Sequence, residues 1–253
     1  MELVVDAVRH DFGSLVVLRD ISFRVAPGEI LALVGPSGCG KSTLLSILGG
    51  LMRPLGGAVS MLGAPPAESF NPVTFVFQDF ALLPWRSVAD NVGFALEHAP
   101  IGAAERHRIV ADVLARTGLG EFAHSYPRQL SGGMRQRVGI ARALAVRPEI
   151  LLMDEPFSAL DAQTRDLLIE DFIGLIAGNR VSAVYVTHNL EEAARLADRI
   201  VVLSRRPGRI REIMPLTLPR EARDPGYIAT HQAALWSLIR AEAAAAEREV
   251  VDV

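Results

Sequence analysis

A glycine-rich loop constrains this chain more than any other stretch of its sequence. Residues 35–43 read GPSGCGKST, and they follow the apolar run ILALV at 30–34. A strand, a Gly-x-x-x-x-Gly-Lys-Ser loop and a helix in that order are typical of a phosphate-binding loop, in which backbone N–H groups and the helix N-terminus face an anion. The alternative, a plain glycine-rich turn, requires a chance match of the pattern in the right context.

The loop supplies the groups that a nucleoside triphosphate needs. Lys41 can reach the β- and γ-phosphates, and the Ser42 hydroxyl can coordinate Mg²⁺. Cys39 is the single cysteine of the chain. We expect it to be a small filler residue, and a redox-sensitive thiol near a helix N-terminus is the alternative. The predicted ATP contacts here are Gly35, Pro36, Ser37, Gly38, Cys39, Gly40, Lys41, Ser42 and Thr43.

A second apolar run ends in two carboxylates. Residues 150–156 read ILLMDEP, which predicts a buried strand with Asp154 and Glu155 at its carboxyl end, where parallel α/β sheets bind ligands. Asp154 is then placed to hold Mg²⁺, and Glu155 to polarise an attacking water as general base. A strand that simply exits to solvent is the alternative, and the phosphate loop in the same chain argues against it.

Composition fits a folded protein without a general basic field. The 253 residues are 50% hydrophobic and 22% charged, with a formal net charge of −3 at pH 7, so nucleic acid is not an expected partner. One cysteine cannot build a disulfide framework or a cysteine-based zinc site, which fits a reducing compartment. The sequence shows no signal peptide and no apolar run long enough to span a bilayer. We therefore expect a soluble, cytoplasmic protein that can sit on a membrane partner.

The order of predicted elements indicates an α/β protein. Short strand-like runs separated by turn signals fill residues 2–34, and a helix is predicted from about Lys41. From EILLMD onward strands and helices alternate, which implies right-handed parallel crossovers, and RRPGRIREIMPL predicts a final hairpin. Three helix-like stretches fill the interval between these two parts. We predict one domain over 1–220, with a core at 1–86 and 148–220 and an inserted helical subdomain at about 87–147. An alanine-rich helical tail follows at 221–253.

One further motif carries a family resemblance. Residues 130–143 read LSGGMRQRVGIARA, and LSGG-x-x-Q-R resembles the signature of the ATP-binding-cassette (ABC) family. The order of motifs is also similar: phosphate loop, Gln78, signature, ILLMDEP, SALD and His188. The resemblance covers about residues 2–220. It implies an α/β fold, namely a P-loop NTPase ABC ATPase core with an antiparallel β subdomain and an inserted α-helical subdomain.

The resemblance also implies that two copies share each site. Ser131, Gly132 and Gly133 open a helix, and their N–H groups and the Ser hydroxyl make an anion site. In the family this signature covers the γ-phosphate bound by the other copy, which implies an ATP-sandwiched homodimer. Asp161 of SALD matches a loop at that dimer interface.

Three other positions are assigned by the same resemblance. Phe12 stands where the family has an aromatic residue that stacks on adenine, often Tyr, so the stacking face is kept and the hydroxyl is lost. Gln78 matches the glutamine that contacts Mg²⁺ and the attacking water. His188 matches the histidine that contacts the γ-phosphate.

Several features favour a transporter subunit. The interval from Thr43 to Asp154 leaves no room for a long coiled-coil insertion, and only one cassette is present. FQDFALLPWRSVADNV and LTLPREARDPGYIA resemble the cassettes of nitrate, sulfonate and taurine importers. The resemblance implies an ATPase that powers uptake of such a solute through a separate permease, at the cytoplasmic face of the inner membrane, with a periplasmic or lipid-anchored solute-binding protein. The alternative is a soluble non-transport ABC ATPase that acts on nucleic acid or ribosomes.

The stretch after Gln78 is unusually apolar. Phe80, Leu82, Leu83, Pro84 and Trp85 either border a groove for a coupling helix of the permease or fill the core between the lobes. Both interpretations can hold for different residues.

Overall fold

The computed structural model describes residues 1–158, 162–177 and 181–251. Asp161 lies outside them, so its assignment to a dimer interface stays a prediction. In chain order the strands and helices are β1 (Glu2–Phe12), β2 (Leu15–Val25), β3 (Ile30–Val34), α1 (Lys41–Leu48), β4 (Gly56–Leu62), β5 (Val73–Val76), α2 (Val88–Phe94), α3 (Ala103–Arg116), α4 (Gly132–Ala145), β6 (Ile150–Asp154), α5 (Ala162–Ala177), β7 (Ser182–Val186), α6 (Leu190–Leu196), β8 (Arg199–Leu203), β9 (Ile210–Pro215) and α7 (Pro225–Val251).

The chain divides into two compact units. The first combines residues 1–63 with 183–253, and the second contains residues 64–182. The helices α2, α3 and α4 of the second unit occupy the interval in which helices were predicted. The domain boundaries proposed from the sequence stay a prediction.

An antiparallel sheet with the order β2-β1-β4 lies in the first unit. In β1, Val5 pairs with Phe23 of β2 and with Val59 of β4. Leu3 and Val5 are buried, whereas Asp6 is exposed. This sheet is the expected antiparallel β subdomain, and alternating burial is the pattern of strands with one wet face.

The same unit contains a parallel set of strands around β3. β7 and β8 pair with β3 on either side, and β9 pairs antiparallel with β8. Every residue of β3 and β7 is buried, which explains why ILALV reads as an uninterrupted apolar run. Full burial of one such aliphatic side chain contributes about 1.5–3 kcal/mol. The stretch RRPGRIREIMPL, predicted as a hairpin, contributes the turn and the second strand, β9, whereas the first strand is β8, which ends at Leu203.

The second unit pairs β5 with β6 in parallel and packs helices beside them. Val76 lies opposite Met153 in that pair. Among the helices, α4 contacts both α2 and α3. The rings of Phe157 and Phe172 meet edge to face with centroids 5.8 Å apart, and both are fully buried. Within the described ranges, no helix is long and apolar enough to cross a membrane.

Two arginines hold the carboxyl end of α6 in the first unit. Arg223 is 8% exposed, and its guanidinium donates to the carbonyl oxygens of Ala194, Arg195 and Ala197 at 2.7–3.1 Å. Arg220 donates to the Leu196 carbonyl at 2.7 Å. The last carbonyls of a helix have no partner within the helix, and a cation there also interacts well with the helix dipole.

Arg223→Met tests this cap. The substitution keeps most of the side-chain volume and leaves the α6 carbonyls without their donor, so we expect a loss of about 2–4 kcal/mol of stability. By thermal melting the midpoint should fall by roughly 5 °C or more. The matched control is Arg209→Met, because Arg209 is exposed. Equal midpoints for the two variants would show that the cap does not stabilise the fold.

Candidate nucleotide-binding site

The phosphate loop is closely packed by its own neighbours. It leaves β3 at Gly35 and enters α1 after Gly40, which has φ +102°. A Cβ on Gly40 would lie 2.7 Å from Leu18 Cδ2, and one on Gly35 would lie 2.8 Å from the Leu203 carbonyl oxygen. Neither place has room for a side chain. Glycine is therefore required at Gly35 and Gly40 by close packing in this fold, in addition to letting the loop N–H groups face an anion.

Lys41 folds back over the loop. Its Nζ donates to the carbonyl oxygens of Gly35 at 2.8 Å and Pro36 at 3.0 Å. Ser37, Gly38 and Ser42 are exposed, whereas Lys41 is half-buried. The ammonium group thus lies over the curl of the loop, where a bound phosphate would come within its reach.

Cys39 faces the interior of the loop. Its side chain has 0% exposure, and burial raises the pKa of the thiol, although the Lys41 ammonium lowers it to a smaller extent. A protonated, buried thiol is a poor nucleophile. These findings favour the filler interpretation, and they leave only the backbone of Cys39 for a nucleotide contact.

Parallel pairing brings His188 to the same edge as the loop. Leu33 of β3 lies opposite Val186 of β7, and the Thr187 N–H donates to the Leu33 carbonyl at 3.3 Å. His188 follows directly and is exposed. Asn189 then caps α6 by accepting from the N–H groups of its first turn. The histidine is thus held between a buried strand and a capped helix.

Phe12 ends β1 beside a tight turn. It is 50% exposed, and its ring meets His10 edge to face at 4.8 Å. The next strand, β2, carries Val17 and Leu18, the residues that line Gly40. The first unit therefore carries Phe12, the phosphate loop and His188 together.

In the second unit, Gln78, Asp154 and Glu155 share an edge of another parallel pair. Because Val76 lies opposite Met153, Gln78 and Glu155 each come two residues beyond paired positions. Glu155 has φ +46°, a left-handed conformation that costs a residue with a side chain about 1–3 kcal/mol. Its carbonyl accepts from the N–H and the hydroxyl of Ser158 at 3.2 and 3.0 Å. Strain of this kind concentrates at functional sites.

The segment after Gln78 is clamped to α4. Phe80 and Ala81 both have positive φ, at 59° and 42°, and their carbonyls accept from Arg142 at 2.5 and 2.7 Å. Phe80 is 6% exposed and packs on Gly139, where an added Cβ would lie 3.1 Å from it. Phe80 is thus a core residue, whereas Trp85 is 71% exposed. Burial favours the core interpretation for Phe80, and the groove interpretation stays a prediction for the exposed Trp85.

An apolar pocket of about 550 Å³ opens in the same unit. Its walls include Phe75 and Phe77, whose rings stack at 5.4 Å, together with Phe94 and Arg142. Phe77 and Phe94 are 41% and 43% exposed. The sequence alone did not single out either residue, because Phe77 belongs to a predicted strand and Phe94 to a predicted helix.

The signature forms the start of α4. Ser131 is the N-cap residue, and its hydroxyl oxygen accepts from the Met134 N–H at 3.2 Å. Gly132 and Gly133 form the first turn of this 14-residue helix. Arg135 donates to the Leu130 carbonyl at 2.7 Å and fixes the approach to the helix. An exposed cap serine at a helix N-terminus suits an anion from another molecule.

Comparison with known proteins points to one family. Residues 18–158 match a family model described as ABC transporter. Aliphatic sulfonates import ATP-binding protein SsuB 1 of Xanthomonas axonopodis pv. citri is 46% identical over 227 residues, which cover 88% of each chain. Nitrate import ATP-binding protein NrtD of Synechococcus elongatus is 41% identical over 90% of this chain and 86% of that protein. The dimeric, post-hydrolysis structure of the ATP-binding cassette MJ0796 with ADP and Pi has a TM-score of 0.71 at 30% identity, over 86% of this chain and 100% of that one.

The buried thiol gives a direct test of the loop packing. Because burial raises the Cys39 pKa, little thiolate should form at pH 8. We expect the folded protein to react with a thiol reagent such as DTNB at least about tenfold more slowly than the same protein in denaturant. The lone cysteine makes the assay specific. Equal rates in the two states would favour the redox-sensitive alternative.

Proposed function

The chain belongs to the ABC transporter family, and we propose that it is the ATP-hydrolysing subunit of an importer for a small anionic solute. Sulfonates and nitrate are the solutes named for the two relatives. The observation that carries the proposal is the phosphate loop between β3 and α1, with Lys41 over it and His188 at the same edge. The family match over residues 18–158 supports the same reading.

The loop suits the phosphates of ATP. Its backbone curls where Gly35 and Gly40 leave no room for side chains, and the Lys41 ammonium can pass from the loop carbonyls to the β- and γ-phosphates. We assign the phosphate contacts to residues 35–43. Phe12, half-exposed at the end of β1 in the same unit, is proposed to offer a ring face to the adenine.

Three side chains are proposed to hold Mg²⁺. Ser42 is exposed on the first turn of α1, and Gln78 and Asp154 lie at one edge of the β5–β6 pair. Hydroxyl, amide and carboxylate oxygens are the ligands that this hard cation prefers. Held there, Mg²⁺ would neutralise part of the negative charge on the triphosphate.

Glu155 is the proposed general base. Its carboxylate would accept a proton from the attacking water, while His188 and Gln78 orient that water and the γ-phosphate. Lys41 and the loop N–H groups would stabilise negative charge on the transferring phosphoryl group. ATP and water then give ADP and phosphate.

The signature is proposed to complete the site of a second copy. Ser131, Gly132 and Gly133 present a cap hydroxyl and helix N–H groups, and the related cassette MJ0796 is described as a dimer with ADP and Pi. We propose that two copies close head to tail on two ATP molecules, with Asp161 at their interface. A single copy should hydrolyse ATP poorly at low concentration.

The apolar pocket in the second unit is the proposed docking place of the permease. Phe75, Phe77 and Phe94 line it beside the clamped segment after Gln78, which suits the apolar face of a short helix. This arrangement would place the chain at the cytoplasmic face of the inner membrane, with a solute-binding protein on the other side. Closure on ATP would then move the docked helix.

Glu155→Gln tests the proposed base. The substitution keeps a polar side chain of the same size and removes the proton acceptor, so ATP binding should persist while turnover falls by about 10² or more. Light scattering should detect a dimer that persists with ATP. Near-normal turnover would refute the assignment of the base, and a purely monomeric variant in ATP would refute the closed dimer.

Lys41→Ala is the companion test of the binding loop. It removes the ammonium that contacts Gly35 and Pro36, so ATP affinity should fall about tenfold or more, since a charged contact to phosphate is lost. Titration calorimetry measures it. Unchanged affinity would place the nucleotide elsewhere.

If the apolar pocket binds the permease, a charge placed in it should prevent that binding. The tagged chain is recovered from detergent-solubilised native membranes, and the co-purifying proteins are identified. Phe94→Glu puts a charge in the pocket and should lose a co-purifying permease at unchanged ATPase activity. The control is Phe122→Glu, because Phe122 is similarly exposed at 39% and does not line the pocket. Recovery of ribosomal proteins or nucleic acid without a permease would favour a non-transport ABC ATPase.

A further inference from the structure

We propose that residues 204–209, the loop between β8 and β9, support the phosphate loop and are held in turn by the tail helix α7 through Glu242, so that the tail helix helps to set ATP affinity. These residues are called the support loop below. The inference rests on the proposed nucleotide site at residues 35–43.

Gly208 is the point at which the support loop meets the phosphate loop. It is buried, and a Cβ on it would lie 2.2 Å from the Cys39 carbonyl oxygen. Two backbone hydrogen bonds fix it there, from the Gly208 N–H to Val17 at 2.8 Å and from the Arg19 N–H to Gly208 at 3.0 Å. Any side chain at this position must push the phosphate loop or β2 away.

The phosphate loop cannot move away from such a side chain without disturbing its other neighbours. Leu18 lies against both loops, since a Cβ on Gly40 would be 2.7 Å, and one on Gly208 3.3 Å, from the same Leu18 Cδ2 atom. The Leu203 carbonyl oxygen also packs closely against Gly35, where an added Cβ would lie 2.8 Å from it. A shift at the Cys39 carbonyl is therefore passed to the neighbouring peptide units, whose N–H groups are proposed to bind phosphate. Hydrogen bonds weaken steeply when the donor is misaligned with the acceptor, so displaced N–H groups would bind phosphate less well.

The support loop is bonded to itself. The Ser204 hydroxyl oxygen accepts from the Arg209 N–H at 3.0 Å, and the Ser204 hydroxyl lies 3.0 Å from the Arg205 carbonyl. The Ser204 N–H donates to the Arg209 carbonyl at 2.8 Å. These bonds join both ends of the loop, so a force on one end moves Gly208 as well.

Glu242 holds that loop from the tail helix. One of its carboxylate oxygens accepts from the Arg205 N–H at 3.1 Å, and the other lies 3.5 Å from Arg211 Nε. The Glu242 side chain is 17% exposed, whereas that of Arg211 is 55% exposed. Glu242 thus joins α7 to the start of the support loop at Arg205 and to β9 at Arg211. Through the support loop, α7 is therefore connected to the phosphate loop by direct contacts.

The first test is Gly208→Ala, with Gly102→Ala as its matched control. A Cβ on Gly102 would meet nothing within 4 Å. We expect Gly208→Ala to weaken ATP binding about tenfold or more, and Gly102→Ala to leave it unchanged. Melting midpoints are measured beside affinity, and KM beside kcat. A merely structural role would lower the midpoint without raising the Kd and KM of the folded protein for ATP.

The second test removes the hold of the tail helix. Glu242→Ala deletes both contacts while alanine keeps the helix, and Gln232→Ala, an exposed site on the same helix, is the control. Since Arg211 is largely exposed, we expect a two- to fivefold weaker Kd, about what such a pair contributes, and a smaller effect at high salt. Arg211→Ala should weaken binding less, and the double variant should equal Glu242→Ala.

Lys41→Ala separates the two levels of the inference. Unchanged ATP binding in Lys41→Ala would overturn the proposed nucleotide site itself. A loss in Lys41→Ala together with unchanged affinity in Gly208→Ala would overturn the support loop alone. A loss in Gly208→Ala with unchanged affinity in Glu242→Ala would overturn the part assigned to the tail helix. Weakened binding in all three supports the inference.

Discussion

Close backbone packing around residues 35–40 is the constraint on which the first unit depends. The Leu203 carbonyl, Leu18 and Gly208 approach this loop from three sides, so its path is held by neighbours rather than by its own bonds alone. A phosphate-binding loop needs that rigidity, because its N–H groups must be in place before the anion arrives. The parallel strands β7, β3 and β8 provide the frame that brings these neighbours together.

Strand register is the second organising principle. Residues that follow paired positions leave a parallel sheet at the same edge, which is why His188 joins the phosphate loop in one unit and Gln78 joins Glu155 in the other. Each unit thus carries one part of the chemistry expected of an ABC ATPase. The phosphate loop lies in the first unit, whereas Glu155, the proposed general base, lies in the second.

The features that could be predicted from the sequence are those set by residues adjacent in the chain. The buried strands, the phosphate loop, the cap at Ser131 and the family assignment follow from short motifs, and the comparisons confirm the family and its fold. The contacts of Gly208 with Cys39 and of Arg142 with Phe80 were not predictable, because each joins residues that only tertiary packing brings together. The roles of the individual site residues stay predictions.

The left-handed backbone of Glu155 has a consequence for how this chain can change. Glycine or asparagine adopts that conformation at lower free-energy cost. Selection for thermal stability alone would therefore favour replacing Glu155 by one of them. The proposed general base persists only if turnover is selected directly. In a copy of this chain without selection for turnover, replacement of Glu155 by glycine or asparagine would therefore raise folding stability and remove the proposed hydrolytic activity.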